Sequence, residues 1–187
     1  LSLHDALPIS LRFGCLTEQV PVARDLEAFW AWVNAQFDTS VTWRDIEWLR
    51  GHWKGRILLK CILDADDARS AVDAGADGIV VSNHGGRQLD SVASSISKLP
   101  AIAQAVGART EVLLDGGVRS GVDIFKALAL GARGVLIGRP WVWALAGAGE
   151  RGLRDLLATL QRELKLTMTM AGVTRVADID ASRLDRI

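Results

Sequence analysis

The stretch SNHGGRQLD at 82–90 places an imidazole, two glycines and a guanidinium in a row, His84 to Arg87, directly after the β-branched run GIVV. Imidazole changes charge near neutral pH, so His84 can act as a base. Arg87 supplies a planar cation that grips a carboxylate through paired hydrogen bonds. A base beside an anion-binding arginine suits proton removal from a small acid. The two glycines clear room beside both groups. The bland alternative is a surface or structural histidine in a glycine turn.

Two other stretches add chemistry. Lys60 interrupts the apolar run LLKCIL, where an ammonium is costly to bury unless it meets an anion or an electron-rich acceptor. Such a cation fits the pyrimidine edge of a flavin, where negative charge develops on reduction. The stretches LDGGVRSG (114–121) and IGRP (137–140) bring Asp115, Gly116, Gly117, Arg119, Gly138 and Arg139 together with a helix start at Ser120. Glycine lets backbone N–H groups approach a phosphate, a helix N-terminus stabilises its charge, and arginine binds it. The competing explanation is that these glycines only permit tight turns. From the residues alone, the expectation is a phosphate-bearing cofactor and a carboxylate substrate.

These groups need elements to hold them. Apolar runs at 56–63, 78–83, 111–117 and 134–140 predict four buried strands. Helical patterns fall at 64–75, 93–106, 120–131 and 141–171, the last divided near Gly147 and Gly149; Ser120 is the expected N-cap and Gly131 the C-cap of the third. Alternating strands and helices predict a parallel sheet covered by helices. The stretches GADGIVVSN (75–83) and GARGVLIGR (131–139) repeat a pattern 56 residues apart, two βα units, which favours a barrel over a dinucleotide fold. The polar groups named above, apart from Lys60 within the first strand, accumulate at or just after the strand ends, where a barrel gathers its loops into an active-site mouth. A (β/α)8 barrel has eight strands and about 250 residues, and phosphate sites often follow strands seven and eight. The fold class is therefore read as α/β, the C-terminal half (strands 5–8) of a TIM (β/α)8 barrel, occupying 56–187. Residues 11–55 form a helical region preceding strand five, with helices at 25–37 and 42–53. Five of the seven tryptophans lie between 30 and 53, a density that suits either packing on the barrel exterior or a membrane interface.

Composition narrows the classes. Of 187 residues, 22 are basic and 22 acidic, so the basic excess of a nucleic-acid binder is missing and no nucleic-acid partner is expected. Two cysteines without a CxxC argue against a disulfide framework or structural zinc, and no metal site is expected. No apolar run reaches the roughly 18–20 residues of a membrane span. The first ten residues, LSLHDALPIS, read as the codons of a sequencing adapter, and residues 1–10 are expected to be a translated adapter preceding a fragment of a longer protein.

Taken together, GADGIVVSNHGGRQLD, LLDGGVRSGVDIFKALALGARGVLIGRP and LTMTMAGV closely resemble the FMN-dependent α-hydroxy acid dehydrogenase and oxidase family, from about residue 36 to the end. The segment FDTSVTWRDIEWLRGHWKGRILLKCILDADDA is most similar to its bacterial respiratory L-lactate dehydrogenase branch. The resemblance implies His84 as catalytic base and Arg87 as holder of the substrate carboxylate. It implies Lys60 against the flavin ring and Ser82 on the flavin or supporting Lys60. Asp115, Gly116, Gly117 and Arg119 are implied at the ribityl chain and phosphate, with Gly138 and Arg139 completing the phosphate site. The implied cofactor is FMN and the implied reaction converts an L-2-hydroxy acid, L-lactate first, to the 2-oxo acid, with quinone or oxygen as electron acceptor. A homo-oligomeric parent enzyme is implied, cytoplasmic or peripheral on the cytoplasmic face of the inner membrane. The alternatives are another phosphate-binding barrel, of the type 2 isopentenyl-diphosphate isomerase or IMP dehydrogenase kind, and a non-catalytic half-barrel subunit. The first four strands and the substrate-contacting tyrosines of the family have no counterpart here, so the fragment alone is expected to be inactive.

Overall fold

The structure is a computed structural model that describes residues 26–185. The expectations for residues 1–10 and for Cys15 lie outside the described residues. The chain divides into two compact units, residues 1–42 and 43–187. In the first, helix α1 (Leu26–Ala35) carries Phe29 with Trp30 edge-on at 6.1 Å and Trp32 stacked at 6.2 Å.

The second unit runs α2 (Trp43–His52), β1 (Leu58–Ile62), α3 (Ala65–Asp73), β2 (Gly78–Val81), α4 (Ser95–Val106), β3 (Glu111–Leu114), α5 (Gly121–Ala129), β4 (Gly134–Val135) and α6 (Arg139–Met170). The strands pair in parallel in the order β1-β2-β3-β4. Sequential order is that of a barrel; a doubly wound sheet reverses direction at a switch point.

Register and the two-residue period of a strand decide what faces where. Ile79, Val81, Val112 and Leu114 are buried with Leu99, Ile102 and Val106 of α4 and Ala68 and Ala71 of α3, forming the helix-side core. Lys60, Val80, Leu113 and Gly134 align across the sheet. That row faces away from the helices, so Lys60 stands on the inner face. A second cluster, Phe125, Ala129, Met168, Val173 and Ile179, fastens α5 to α6 and the chain beyond it.

Helix ends follow local chemistry. Asp64 caps α3 by accepting from the N–H groups of Asp66 and Asp67, and Gly75 (φ +101°) turns the chain out of that helix. Helix α6 breaks at Ala148 and Gly149, where glycine takes φ +59°, close to the expected division.

Two strands differ from expectation. β4 ends at Val135 rather than at 140: Leu136 N–H still donates to Leu114 O, but Arg139 and Pro140 already open α6. β1 is not buried. Among the described residues it pairs with β2 alone, Leu58 is 49% exposed, and Lys60 lies at the open edge rather than inside a covered run.

At the opposite end of the strands from the loops that follow them, one arginine fastens α2 to the sheet. Arg50 donates to Gly75 O (3.1 Å) and Gly55 O (3.0 Å) and pairs with Asp77, whose Oδ2 also accepts from Ile57 N–H at 2.8 Å. The Ile57 N–H, working against burial, and the Arg50 guanidinium hold the Asp77 carboxyl below its ordinary value. Gly75 is required here, since a Cβ would stand 3.0 Å from Arg50 Cγ.

β1 and β4 each pair on one side only among the described residues, and Leu58, Leu136, Trp141 and Trp143 are exposed nearby in sequence. Open edges and apolar faces invite association. Expressed as these 187 residues alone, the protein is expected to elute above monomer size or precipitate, and to show no turnover; light scattering on a size-exclusion column checks it, and a clean monomer peak would count against it.

Candidate active site

The site begins with Ser82, the first residue beyond β2. It continues the strand alternation onto the inner face and is fully buried. Its hydroxyl gathers two donors: Lys60 Nζ at 2.9 Å and His84 N–H at 3.0 Å. Lys60 Nζ also pairs with Asp115 Oδ2 at 2.9 Å, so the strand ends of β1, β2 and β3 meet at one ammonium. The Lys60 side chain is 41% exposed. The ammonium therefore keeps water access as well as its carboxylate, and the cost of full burial inferred from the sequence does not arise.

His84 opens a 3₁₀ turn, His84–Gly86, with φ +54°, the left-handed region that non-glycine residues seldom occupy. Gly85 and Gly86 follow at φ +69° and +72°. Three left-handed residues in succession make a tight projection that lifts the exposed imidazole off the strand end. Nearby, Cys61 occupies a bulge in β1 at φ +70°, and its Sγ lies 4.0 Å from His84 Nδ1 and 3.9 Å from Ser82 Oγ. A bulge beside a site re-aims a side chain.

Arg87 is exposed just beyond the turn and makes no hydrogen bond or ion pair among the described residues. Arg139, expected at a phosphate, donates to Gly85 O at 2.7 Å. A Cβ on Gly85 would stand 2.9 Å from that Nη2, which could swing aside, so it is the left-handed φ of +69° that favours glycine here. The loops after β2 and β4 thus share one mouth.

The start of α5 is capped by Ser120 as expected, and its first N–H groups are taken up within the protein. Ser120 caps it through a capping box with Asp123: Ser120 Oγ accepts from Asp123 N–H at 3.2 Å, and Asp123 Oδ2 accepts from Arg119 N–H, Ser120 N–H and Ser120 Oγ, each at 2.9 Å. Glu163 of α6 takes Gly121 N–H at 2.7 Å. These N–H groups, the Arg119 amide among them, are committed within the protein, and the carboxylates would repel an anion there. The Arg119 side chain is exposed. The α6 start is different: Gly138 offers no side-chain cap and has open space on its α-carbon, as does Gly117 (φ +83°).

Burial raises the Asp123 carboxyl, but the N–H of Arg119, the hydroxyl and N–H of Ser120, and Lys126 outweigh it and hold the group below its ordinary value. The stabilisation from this depressed value is complete above the unfolded carboxylate range, about pH 4. It is lost as pH falls through the lower folded value. Asp123→Asn is expected to flatten the acid limb of a melting-temperature profile below about pH 4, while Ser120→Ala costs about 1 kcal/mol at neutral pH. An unchanged acid limb in Asp123→Asn would remove the carboxylate from the account.

The sequence reading had Ser82, Lys60, His84 and Asp115, and they do come together. It lacked Cys61 and Ser95. A left-handed cysteine within a strand leaves no local sequence signal, and Ser95 resembles any serine at a helix start.

A family model for FMN-dependent dehydrogenases matches residues 8–186. The chain belongs to that family. It is 51% identical to an L-lactate dehydrogenase of Caulobacter vibrioides (strain NA1000 / CB15N) over 173 residues, 92% of this chain and 45% of the relative. It is 54% identical to an L-lactate dehydrogenase of Caulobacter sp. (strain K31) over 159 residues, 85% of this chain and 42% of the relative. Among solved structures, mandelate oxidase with benzoyl-formic acid superposes with a TM-score of 0.71 at 52% identity, over 76% of this chain and 42% of that one. A mandelate oxidase variant with (S)-mandelic acid gives 0.72 at 50% identity, over 79% and 44%. The chain spans a little under half the length of the relatives it matches. Its four βα units are part of the (β/α)8 barrel of the FMN-dependent dehydrogenases, and the other phosphate-binding barrels named above give way to that family.

The residues present fit FMN. Asp115 Oδ1 is buried without a hydrogen-bond partner, an acceptor that a ribityl hydroxyl suits. Gly117, Gly138 and the uncapped α6 start leave room and N–H groups for a phosphate.

Proposed function

We propose that this chain carries the cofactor- and substrate-facing loops, after strands five to eight, of an enzyme that oxidises an L-2-hydroxy acid, L-lactate first, to the 2-oxo acid with FMN. The observation that carries the reading is the single hydroxyl of Ser82 holding both Lys60 Nζ and the backbone of His84. It ties the Lys60 ammonium and the backbone that carries the His84 ring to one point at the end of β2.

When bound, FMN supplies the acceptor for two electrons. The protein's own groups do the rest. Arg87, free of protein partners among the described residues, binds the substrate carboxylate and so orients the hydroxyl-bearing carbon. Of the two hydrogens lost, from the hydroxyl and from the carbon, His84 takes one as a proton and passes it on to solvent through its exposed ring, while the other would leave with the electron pair to the acceptor. Lys60, held by Asp115 and Ser82, offers a fixed positive charge that favours a reduced, anionic ring system. Asp115, Gly116, Gly117, Gly138 and the α6 start would hold the ribityl chain and phosphate, with Arg119 and Arg139 at the rim. A quinone or oxygen would be the final electron acceptor.

The test is anaerobic mixing of the intact FMN-loaded protein with L-lactate, D-lactate and L-mandelate. Loss of flavin absorbance is expected with L-lactate and not with D-lactate. Absorbance unchanged by any L-2-hydroxy acid would overturn the reading.

A further inference from the structure

We propose that Asn83 and Ser95 are positioning residues for proton transfer at His84, and that neither contacts the substrate. The proposal rests on the reading of His84 as the base.

The His84–Gly86 turn is held from two sides. On one side Ser82 Oγ accepts His84 N–H. On the other, Asn83 Oδ1 accepts Gly85 N–H at 3.0 Å, and Asn83 O accepts Gly86 N–H at 3.0 Å. Asn83 is itself fastened by Ser95, whose hydroxyl accepts Asn83 N–H at 3.3 Å and donates to Asn83 Oδ1 at 3.5 Å; Asn83 Nδ2 donates to Ala93 O at 3.5 Å. Ser95 is 2% exposed, one of only two buried polar residues among those described, the other being Ser82. A buried hydroxyl persists where it is hydrogen-bonded, and every bond of this one goes to Asn83.

The loop after β3 closes on the same pair. A Cβ on Gly116 would stand 2.8 Å from Ser95 Oγ and 2.9 Å from Asn83 Oδ1. Gly116 follows Asp115, the carboxylate that holds Lys60. The backbone that aims the base and the backbone that fixes the ammonium are therefore packed against one Asn–Ser pair. His84 sits at φ +54°, a conformation that persists only when its surroundings impose it. Without the Asn83 acceptor, the Gly85 amide is released and the turn can relax, moving the ring relative to the substrate. A displacement of about 1 Å in a reacting group costs on the order of a hundred-fold in rate.

Asn83→Ala, Ser95→Ala and Asn83→Asp are measured in the intact FMN-loaded protein with L-lactate. Asn83→Ala is expected to lower kcat by about a hundred-fold and Ser95→Ala by about ten-fold. KM, FMN content, melting temperature and the affinity for pyruvate, read from the flavin absorbance change, stay near the parental values. Asn83→Asp keeps the Gly85 acceptor and recovers most of the loss. Ser95→Ala removes one hydroxyl only and carries the test if Asn83→Ala does not accumulate. The proposal is overturned by parental kcat in both alanine variants, by a loss that tracks FMN content or melting temperature, or by Asn83→Asp behaving as Asn83→Ala. His84→Gln separates the two levels: a silent Asn83→Ala beside an inactive His84→Gln removes only the positioning role, whereas an active His84→Gln removes the base assignment beneath it.

Discussion

His84→Gln in the intact FMN-loaded protein is expected to lower kcat for L-lactate by about a thousand-fold, within the range that a positioned acid–base group contributes. FMN content and melting temperature should stay unchanged. The separation is possible because the imidazole bears no load in the fold. It is exposed, and its contact is Cys61 Sγ at 4.0 Å. The turn is held through its backbone, by the His84 amide on Ser82 Oγ and the Gly85 and Gly86 amides on Asn83, all of which glutamine keeps. Glutamine fills a similar volume and can still donate and accept hydrogen bonds, but cannot take up a proton near neutral pH. Anaerobic stopped-flow reduction reads the step directly. Turnover within ten-fold of the parent would sink the assignment of His84 as base.

Arg87→Met is expected to lower kcat/KM for L-lactate by about a hundred-fold, since a hydrogen bond to a charged group is worth about 1.5–3 kcal/mol and a bidentate pair exceeds one such bond. Lys60 is engaged by Asp115 and Ser82, and Arg139 by Gly85 O. Arg87 and Arg119 make no side-chain hydrogen bond or ion pair among the described residues, and of the two Arg87 lies just beyond the turn that carries His84, so a carboxylate arriving beside the imidazole meets no competitor there. Arg87→Lys should recover little, because a single ammonium does not reproduce the planar pair of donors. Steady-state kinetics with L-lactate and with lactamide make the point: the parent should prefer the acid strongly and the variant should not. Equal preference in both proteins would place carboxylate binding elsewhere.

Much of this was legible in the sequence, for local reasons. Apolar β-branched runs, acidic helix starts and terminal glycines located the four βα units, and Asp64, Ser120 and Gly75 behave as their positions demanded. Polar residues immediately after strands named Ser82, His84 and Asp115. What escaped was non-local. Glu163 occupies the α5 start from 42 residues away, which no pattern near Ser120 discloses. Arg139 pairs with a carbonyl 54 residues earlier. Lys60 lies at an edge because of which strand neighbours β1, a property of the sheet and not of LLKCIL. The left-handed Cys61 depends on the same bulge.

The Arg50–Asp77 clasp lies before the strands, while every group with chemistry lies within or after them. Fastening and reactivity are therefore written into different ends of each unit, as is usual when strand C-termini carry the chemistry. A designer can vary the exposed positions 88–91 beyond the His84 turn without touching the clasp, and can exchange a whole unit with a relative by cutting on the clasp side of a strand. Variation would then accumulate at one pole of the molecule while the other stayed fixed.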